Sequence, residues 1–507
     1  SRRNKRWHDW VSVAGDPAAS KAHRWTRKEA VVTPTAKFSD LRVIVRDEEQ
    51  TLADEADKWG QQWCEADGSD APTVYLPKLV VLTEFNTQVL RTTAATFKRK
   101  TCSPDGVHPR HLLLVQEEVL GANAKLMSVS EALCQVPESK RQIELGLLRK
   151  AAGGFRTVGH LDAWVRILQR VHRPGYRRWL IENDRPYWST EAGRGAERTA
   201  FRVAARAEAS TARGLYSAST AMDLKKCFDS CEHDNLWARA IETGLPIQST
   251  ALSLAMYKWP RRLLCNGAAS RVILARRGVV AGTVPATYEV KATMITALDK
   301  VSFDNPEAVL QAHVDDITAA SEHPNLANLV SAHFNIVRDL VINLKFEKWN
   351  FAYEKTITTT SSNAVSTAIA ARMGSLAGEI TAASRFLGAD HSQGRGTRVA
   401  AKAGTRAGRW RKVAARKRRQ KMVARTCRGA AKKVTLGGFL PSVGYASSST
   451  GISAADERCM RAMAASALGL AGIGRDQELG AIALADRDPV LRYKWAPVKA
   501  VFEELWL

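Results

Sequence analysis

Asp315 and Asp316 stand side by side between two short apolar runs, in the stretch Val309-Leu310-Gln311-Ala312-His313-Val314-Asp315-Asp316-Ile317-Thr318. Two β-type runs separated by a polar pair predict a hairpin whose turn carries both acids. Neighbouring carboxylates repel, so a fold that places them at one turn needs a cation to offset them, and a third acid brought alongside would complete a divalent metal site. On its own such a pair is also what a solvated turn looks like. Its meaning depends on what else the chain brings to it.

Two further segments supply that context. Thr220-Ala221-Met222-Asp223-Leu224-Lys225-Lys226-Cys227-Phe228-Asp229-Ser230 reads as an apolar strand ending on an acid, then a turn, with a helical pattern from about His233. Gly278-Val279-Val280-Ala281-Gly282-Thr283-Val284-Pro285-Ala286-Thr287 reads as a glycine-bearing loop that runs into a helix through Leu298. With Asp223 beside Asp315, two Mg²⁺ ions about 3.5 to 4 Å apart would activate an attacking hydroxyl and neutralise a leaving pyrophosphate.

The 507 residues call for three or four packed units. With 45% hydrophobic and 25% charged residues, wholesale disorder and fibrous repeats are excluded. The net charge of +24 points to an anionic partner. Residues 395–433 hold 16 Lys or Arg and no Asp or Glu, two-thirds of that excess. Around Trp410, the residues Arg409, Arg411, Lys412, Arg416, Lys417, Arg418, Arg419 and Lys421 predict a basic helix along a phosphate backbone, although a solvated run or a nuclear-localisation signal has the same composition. A Gly/Ser-rich loop follows, then a packed helix capped by Ser453 with Asp456, its apolar face running to Leu470.

The uncharged stretch 434–455 is rich in Gly and Ser and contains Pro441, so no membrane span is expected. Nothing at the start reads as a secretory signal. Eight cysteines without a Cys-x-x-Cys suggest a reducing compartment. Cys227, Cys231 and His233 lack a fourth zinc ligand nearby and read as packing; His108 and His111 read as template-facing or satisfied surface residues. The Trp residues at 7, 10, 25, 59 and 63 read as core rather than base-stacking, and Asp229 as a turn acid or a metal ligand. Residues 52–64 predict a helix, 68–72 a break, and 101–390 a mixed α/β body with helices on one side of a sheet.

In this order and spacing the three segments resemble the palm motifs of reverse transcriptases. The resemblance extends outward. Lys98-Arg99-Lys100-Thr101-Cys102-Ser103-Pro104-Asp105-Gly106-Val107-His108-Pro109 is similar to the Pro-Asp-Gly-x-x-Pro fingers segment of the enzymes of retrotransposons without long terminal repeats. Lys150-Ala151-Ala152-Gly153-Gly154-Phe155-Arg156-Thr157-Val158-Gly159 is similar to their fingers hairpin, with one extra residue after the lysine. Phe386-Leu387-Gly388 resembles the primer grip. The likeness covers 98–390, and more weakly to about 470.

What the resemblance implies is an α+β right-hand polymerase: an N-terminal extension (1–97), fingers (98–205), a palm with an antiparallel sheet (206–390) and a basic helical thumb or connection (391–507). The implied activity is RNA-directed DNA synthesis by a retroelement enzyme, with an RNA template, a DNA primer and product, deoxynucleoside triphosphates and two Mg²⁺ ions, Mn²⁺ substituting, in an intracellular and nuclear setting. Asp223 and Asp315 would hold the metals, with the Leu224 carbonyl as an additional ligand and Asp316 assisting. Phe228 would be the steric gate against a ribose 2′-hydroxyl. Lys150 and Arg156 would grip the triphosphate. Gly278, Ala281 and Gly282 would let backbone approach the nascent pair, and Lys345 or Lys348 would neutralise the pyrophosphate.

The sequence departs from the family pattern at Ala281, where Gln is usual, at His313, where an aromatic is usual, and at Thr157-Val158, where Pro-Ile is usual. None removes a metal ligand. These departures motivate a second expectation, a catalytically degenerate RNA-binding protein derived from a reverse transcriptase. A third, an RNA-templated RNA polymerase, is disfavoured by Phe228.

Overall fold

A computed structural model describes residues 7, 9–10, 20–26, 48–64, 83–99, 101, 103–150, 153–189, 195–265, 267–393, 404–467, 476, 478–479, 482 and 488–505. The expected break at 68–72, the start of the basic run and the end of the apolar face at Leu470 lie outside these residues. In chain order, β1 (Ile143–Arg149) and β2 (Phe155–His160) form a hairpin, and β3 (Tyr216–Asp223) ends on the first acid. Then come β4 (Arg261–Cys265), β5 (Ala268–Ala269), the hairpin of β6 (Val309–His313) with β7 (Asp316–His323), β8 (Ile357–Thr360), β9 (Glu379–Thr381), and the hairpin of β10 (Ala383–Phe386) with β11 (Ala389–Ser392). The helices that position the site are α1 (Glu48–Gln62), α2 (Ala163–Val171), α3 (Ala196–Ala212), α4 (His233–Thr243), α5 (Ala286–Asp304), α6 (Leu326–Phe346), α7 (Thr405–Thr426) and α8 (Ala454–Ala467). The chain is α+β, as expected.

The central sheet runs β6-β7-β3-β8-β9, and β3 is antiparallel to both neighbours, to β7 over its whole length and to β8 from Ala218 to Ala221. Because side chains alternate along a strand, β3 offers different residues to its two faces. Thr220 lies against α6, its hydroxyl 2.8 Å from His333 Nε2 and 2.8 Å from Thr358 Oγ1. Burial pulls His333 down to about 4. It is therefore a neutral bridge between Thr220 and Ser321, whose hydroxyl is 2.9 Å from its Nδ1. Ala221 and, one step on, Asp223 face the other way, where Ala221 packs with Val203 of α3, Phe386 of β10 and Ala389 of β11. This corrects the expectation of helices on one side only. The β3 face that bears the acid is covered in part by α3, because that helix presents Ala200 and Val203 to it, and the cover stops short of the strand's acidic end.

A second sheet, β2-β1-β4-β5, joins the first hairpin to the chain segment that follows the first acid. The N-terminal helix α1 is part of the same core as both sheets, through Leu52, Ala56, Trp59 and Trp63.

The C-terminal part has its own core, in which Val413, Val423 and Ala424 of α7 meet Met460, Met463 and Ala464 of α8, together with Ala22 from the short helix Ser20–Thr26. The capping expectation at Ser453 holds. The Asp456 amide donates to Ser453 Oγ at 3.0 Å and the Ser453 amide to Asp456 Oδ2 at 3.2 Å. The expected Gly/Ser-rich loop is instead a chain of helical turns from Arg428 to Thr450. Its apolar residues Val434, Phe439, Leu440 and Val443 enter this core, and burial outweighs the weak helix propensity of Gly and Ser.

Helix α5 carries a charged residue through the core. Glu289 is fully buried, and accepts the Tyr257 hydroxyl at 2.5 Å; burial pushes its carboxyl up to about 7, against an ordinary value of 4.5. A carboxyl raised on folding contributes stability that is fully present below its unfolded value and is lost as pH rises through its folded one. Glu289→Gln is therefore expected to gain stability over wild type between pH 5 and pH 8, by up to about 3 kcal/mol at the upper end. Urea denaturation at both pH values measures it, and an equal difference at the two would contradict it.

Candidate active site

In the β3–β7 register Asp223 stands directly opposite Asp316. Residues opposite one another in an antiparallel ladder share a face, so both carboxyls belong to the open face of the sheet. Asp315 occupies the two-residue turn between His313 and Asp316, and its carbonyl accepts the Leu224 amide at 3.3 Å. The expected pairing is thus refined: the ladder partner of Asp223 is Asp316, while Asp315 approaches from the turn. Burial raises the carboxyls of Asp315 and Asp316, and the neighbouring acids raise them further, Asp316 to about 6. The turn itself is strained. Val314 has φ 62°, a conformation that costs a β-branched residue on the order of 1–3 kcal/mol.

Lysine reaches the acids from a position that sequence spacing did not single out. Lys355 Nζ is ion-paired with Asp223 Oδ2, and that bond raises the lysine above its ordinary range. Lys345 and Lys348, the two candidates, are both exposed; Lys345 lies over the Tyr353 ring at 5.4 Å and Lys348 takes a left-handed turn with φ 67°. The helix α6 ends between them, and the turn through Tyr353–Lys355 then brings the chain back to β3, where the Ala352 amide donates to the Asp223 carbonyl at 2.9 Å. Three lysines within eleven residues cannot be told apart by spacing when a helix end and a reversal lie among them.

The glycine-bearing loop lies against the segment after the first acid. Gly278 donates to the Cys231 carbonyl at 2.7 Å and Val279 to the Phe228 carbonyl at 2.8 Å. Gly278 has φ 90°, and a Cβ there would come within 2.9 Å of the Asp229 carbonyl oxygen, so this approach needs glycine. The next residues meet the first hairpin, where the Gly159 amide of β2 donates to the Ala281 carbonyl at 2.9 Å. Gly282 continues with φ 102°. The structure therefore joins the segment after Asp223, the loop and the β1–β2 hairpin in one layer. Lys150 and Arg156, at and beside the hairpin tip, are both exposed. Phe228 is half-buried against the core, Leu224 is buried, and Cys227 and Cys231 are buried with thiols raised by burial. His233 Nε2 is 3.2 Å from the Gly278 carbonyl, and Asp229 accepts from Trp63 Nε1 at 3.1 Å. His108 accepts from the Arg110 amide, capping the turn it begins, and Asp105 caps α2 through the Ala163 amide at 3.1 Å.

Opposite the acids stands the β10–β11 hairpin, turning at Leu387 (φ 46°) and Gly388 (φ 80°). Asp223, His313, Asp316, Lys355, Arg385, the Phe386-Leu387-Gly388 turn, Arg409 and Tyr445 together line an open cleft of about 710 Å³. Arg409, like Arg406, which bonds Thr450 and the Gly451 carbonyl, is committed to partners within the protein. Its guanidinium donates to the Gly388 carbonyl at 2.6 Å and the Tyr445 carbonyl at 3.2 Å, and lies 4.4 Å from the Tyr445 ring centroid. It fastens the hairpin to the helix. Arg411, Lys412, Lys417, Arg418 and Lys421 are exposed, while Arg416 and Arg419 are half-buried.

Among the described residues no group of three or more His, Cys, Asp or Glu side chains is placed so that it could hold a metal ion, and no helix is long and apolar enough to cross a membrane. No family model and no curated protein matches the chain. Solved structures similar to it include apo telomerase from Candida tropicalis truncated from its C-terminal domain, with TM-score 0.36 and 12% identity over 51% of this chain and 54% of that one. Telomerase from Candida albicans in complex with a fragment of telomeric RNA has TM-score 0.37 and 9% identity over 66% and 65%. Apo telomerase from Candida tropicalis has TM-score 0.38 and 11% identity over 73% and 68%. The chain spans about half the length of the first and about two-thirds of the other two, and similarity at this level assigns neither activity nor substrate.

One functional contact lies outside the motifs. Trp63 of α1 is buried, donates to the half-buried Asp229 and has the guanidinium of Arg261 at 4.8 Å from its ring. Trp63→Phe removes the donor and leaves a smaller ring in a buried site, and is expected to cost about 1–3 kcal/mol from the lost hydrogen bond and the void together. Chemical denaturation reads the change, and a loss below about 0.5 kcal/mol would mean that Arg261 alone holds Asp229.

Proposed function

We propose that this chain is an RNA-directed DNA polymerase of the retroelement type without long terminal repeats, acting by metal-assisted nucleotidyl transfer to a primer 3′-hydroxyl. One observation carries the reading: Asp223 faces Asp316 across the ladder in the lining of an open cleft, with Asp315 in the adjoining turn. Carboxylate oxygens are hard donors of the kind Mg²⁺ takes. The carboxyls of Asp315 and Asp316 are raised by burial and by their acidic neighbours, and the Lys355 ammonium on Asp223 supplies part of the positive charge they lack. In charge and donor type these residues fit a divalent cation. Asp223 and Asp315 would hold it, with Leu224 and Asp316 assisting, and Mg²⁺ or Mn²⁺ would lower the cost of forming the nucleophile and of releasing pyrophosphate.

The remaining roles follow from place. Lys355, rather than Lys345 or Lys348, would meet the leaving pyrophosphate. Lys150 and Arg156 would bind the triphosphate of the incoming deoxynucleotide, Phe228 would exclude the 2′-hydroxyl, and Ala281 with Gly282 would lie under the nascent pair. The Phe386-Leu387-Gly388 turn would support the primer end. The exposed Arg411, Lys412, Lys417, Arg418 and Lys421 of α7, with Arg416 and Arg419 beside them, would run along the phosphates of template and product. The basic run also suits a nuclear protein.

A second reading is favoured by the departures at Ala281 and His313 and by the pairing of Lys355 with Asp223: an RNA-binding protein that no longer polymerises. Primer extension on poly-rA with oligo-dT, in Mg²⁺ and in Mn²⁺, separates the two. The polymerase reading expects extension by wild type and none by the double variant Asp315→Asn, Asp316→Asn, with RNA binding unchanged. Extension that survives in the variant would overturn the site. No extension by wild type, with RNA affinity that falls steeply with salt, would select the second reading.

A further inference from the structure

Trp59 and Trp63 are buried as expected, but the three indoles nearest the N-terminus are not all core. Trp7 and Trp25, their ring centroids 5.0 Å apart, pack partly against the core that α7 shares with α8. Trp10 enters no hydrophobic core among the described residues and is exposed. It stacks on Trp7 with centroids 5.5 Å apart and the planes at 23°, and lies 6.2 Å from Trp25. A large apolar ring at the surface is unfavourably hydrated, and stacking it on two others concentrates that surface in one patch.

The cluster sits at one end of the basic helix. Trp7 Nε1 donates to Thr426 Oγ1 at 2.9 Å in the last turn of α7, and the Thr426 hydroxyl donates to the Met422 carbonyl at 3.3 Å. Residues three and four apart share a helix face, so Arg418, Met422 and Arg425 make one exposed stripe toward that turn. Lys421 and, in the next helix, Arg428 are exposed as well. The sequence around the indoles has the same sign: residues 1–30 hold eight Lys or Arg and three acids. At its other end α7 reaches the cleft, where Arg409 holds the Gly388 carbonyl. From residue 409 to residue 426, at the rise of an α-helix, is about 25 Å. The exposed cations of α7 therefore lead from the cleft to the stacked rings.

Aromatic faces beside a track of cations suit one kind of polyanion. In a single strand the phosphates can lie on the cations while an unpaired base stacks on a ring, whereas a duplex keeps its base faces inside. We propose that Trp10, backed by Trp7 and Trp25, is a stacking platform for an unpaired stretch of nucleic acid whose phosphates follow α7 away from the cleft. The inference rests on the reading of α7 as a phosphate-binding helix, and not on polymerisation.

The test is fluorescence anisotropy of the full chain with labelled oligo-dT and oligo-rU of equal length, and with inorganic polyphosphate as a competitor that has charge and no bases. Trp10→Ala is expected to weaken oligonucleotide binding about tenfold, and Trp10→Phe to retain most of it. The dependence of affinity on salt is expected to be the same in Trp10→Ala as in wild type, whereas Lys421→Gln and Arg425→Gln each lower its slope by about 0.7. Polyphosphate is expected to bind Trp10→Ala as it binds wild type. Trp495→Ala, at another exposed indole, is the control and is expected to bind both oligonucleotides normally. Because Trp10 is exposed, its variants are expected to melt with wild type, which keeps a binding loss separate from misfolding. No single-strand binding by wild type, wild-type affinity in Trp10→Ala, or an equal loss in Trp495→Ala or toward polyphosphate would each overturn the platform. A loss confined to oligo-rU or to oligo-dT would uphold it and identify the strand. Unchanged binding in Trp10→Ala with weaker binding in Lys421→Gln would leave α7 as a phosphate helix and remove the platform. Trp10-dependent binding in a protein that extends no primer would uphold the platform while the polymerase reading fails.

Discussion

Two carboxyl groups facing each other at the end of one ladder, with a third in the adjoining turn, can be kept there only if the surrounding structure resists their repulsion. The β3–β7 pairing does this by its length: eight residue pairs run from Tyr216 opposite His323 to Asp223 opposite Asp316, and a slip of one residue would turn every side chain to the wrong face. Behind the ladder, Thr220, Thr358, Ser321 and the neutral His333 tie β3, β8, β7 and α6 together by hydrogen bonds. In front, the Lys355 ammonium offsets part of the charge. The strained backbone at Val314 belongs to the same account. It persists because the paired strands on either side determine the turn, and it fixes where Asp315 points.

A division of labour among the cations follows. The exposed lysines and arginines of α7 keep their charge toward solvent, whereas Arg409 gives its donors to the carbonyls of Gly388 and Tyr445, and Arg261 is buried with Trp63, Tyr257 and Gly278. Burial pulls Arg261 down to about 10. Such residues are architectural despite their charge, because a buried guanidinium left without partners costs more than its donors return.

The parts of the site that follow from local pattern were legible in the sequence. The acid pair between two β-type runs became the β6–β7 hairpin, the apolar run into Asp223 became β3, the helical pattern from His233 became α4, and the loop at 278–285 led into α5. Local pattern does not contain the long-range contacts. It could not show that Lys355 and not Lys345 or Lys348 meets Asp223, because a helix end and a chain reversal intervene. Nor could it show that α3 covers part of the acid-bearing face, or that Arg409 spends its charge inside the protein. The Gly/Ser-rich stretch after α7 misled for a related reason: its few large apolar residues, Phe439 and Leu440 among them, find a core that the stretch itself does not reveal.

The indole N–H of Trp7 donates to Thr426 Oγ1 at 2.9 Å, and Ala22 sits in the core shared by α7 and α8. The N-terminal segment is therefore stapled to the last turn of α7, with more than 400 residues of sequence between the partners. Closing a circuit of that length costs little more than closing a shorter one, since each doubling of the loop adds only about 0.6 kcal/mol. The consequence is that the basic helix is packed on one side by its sequence neighbours and on another by the distant N-terminal segment, so a change at Trp7 or Ala22 is felt in the core that α7 shares with α8.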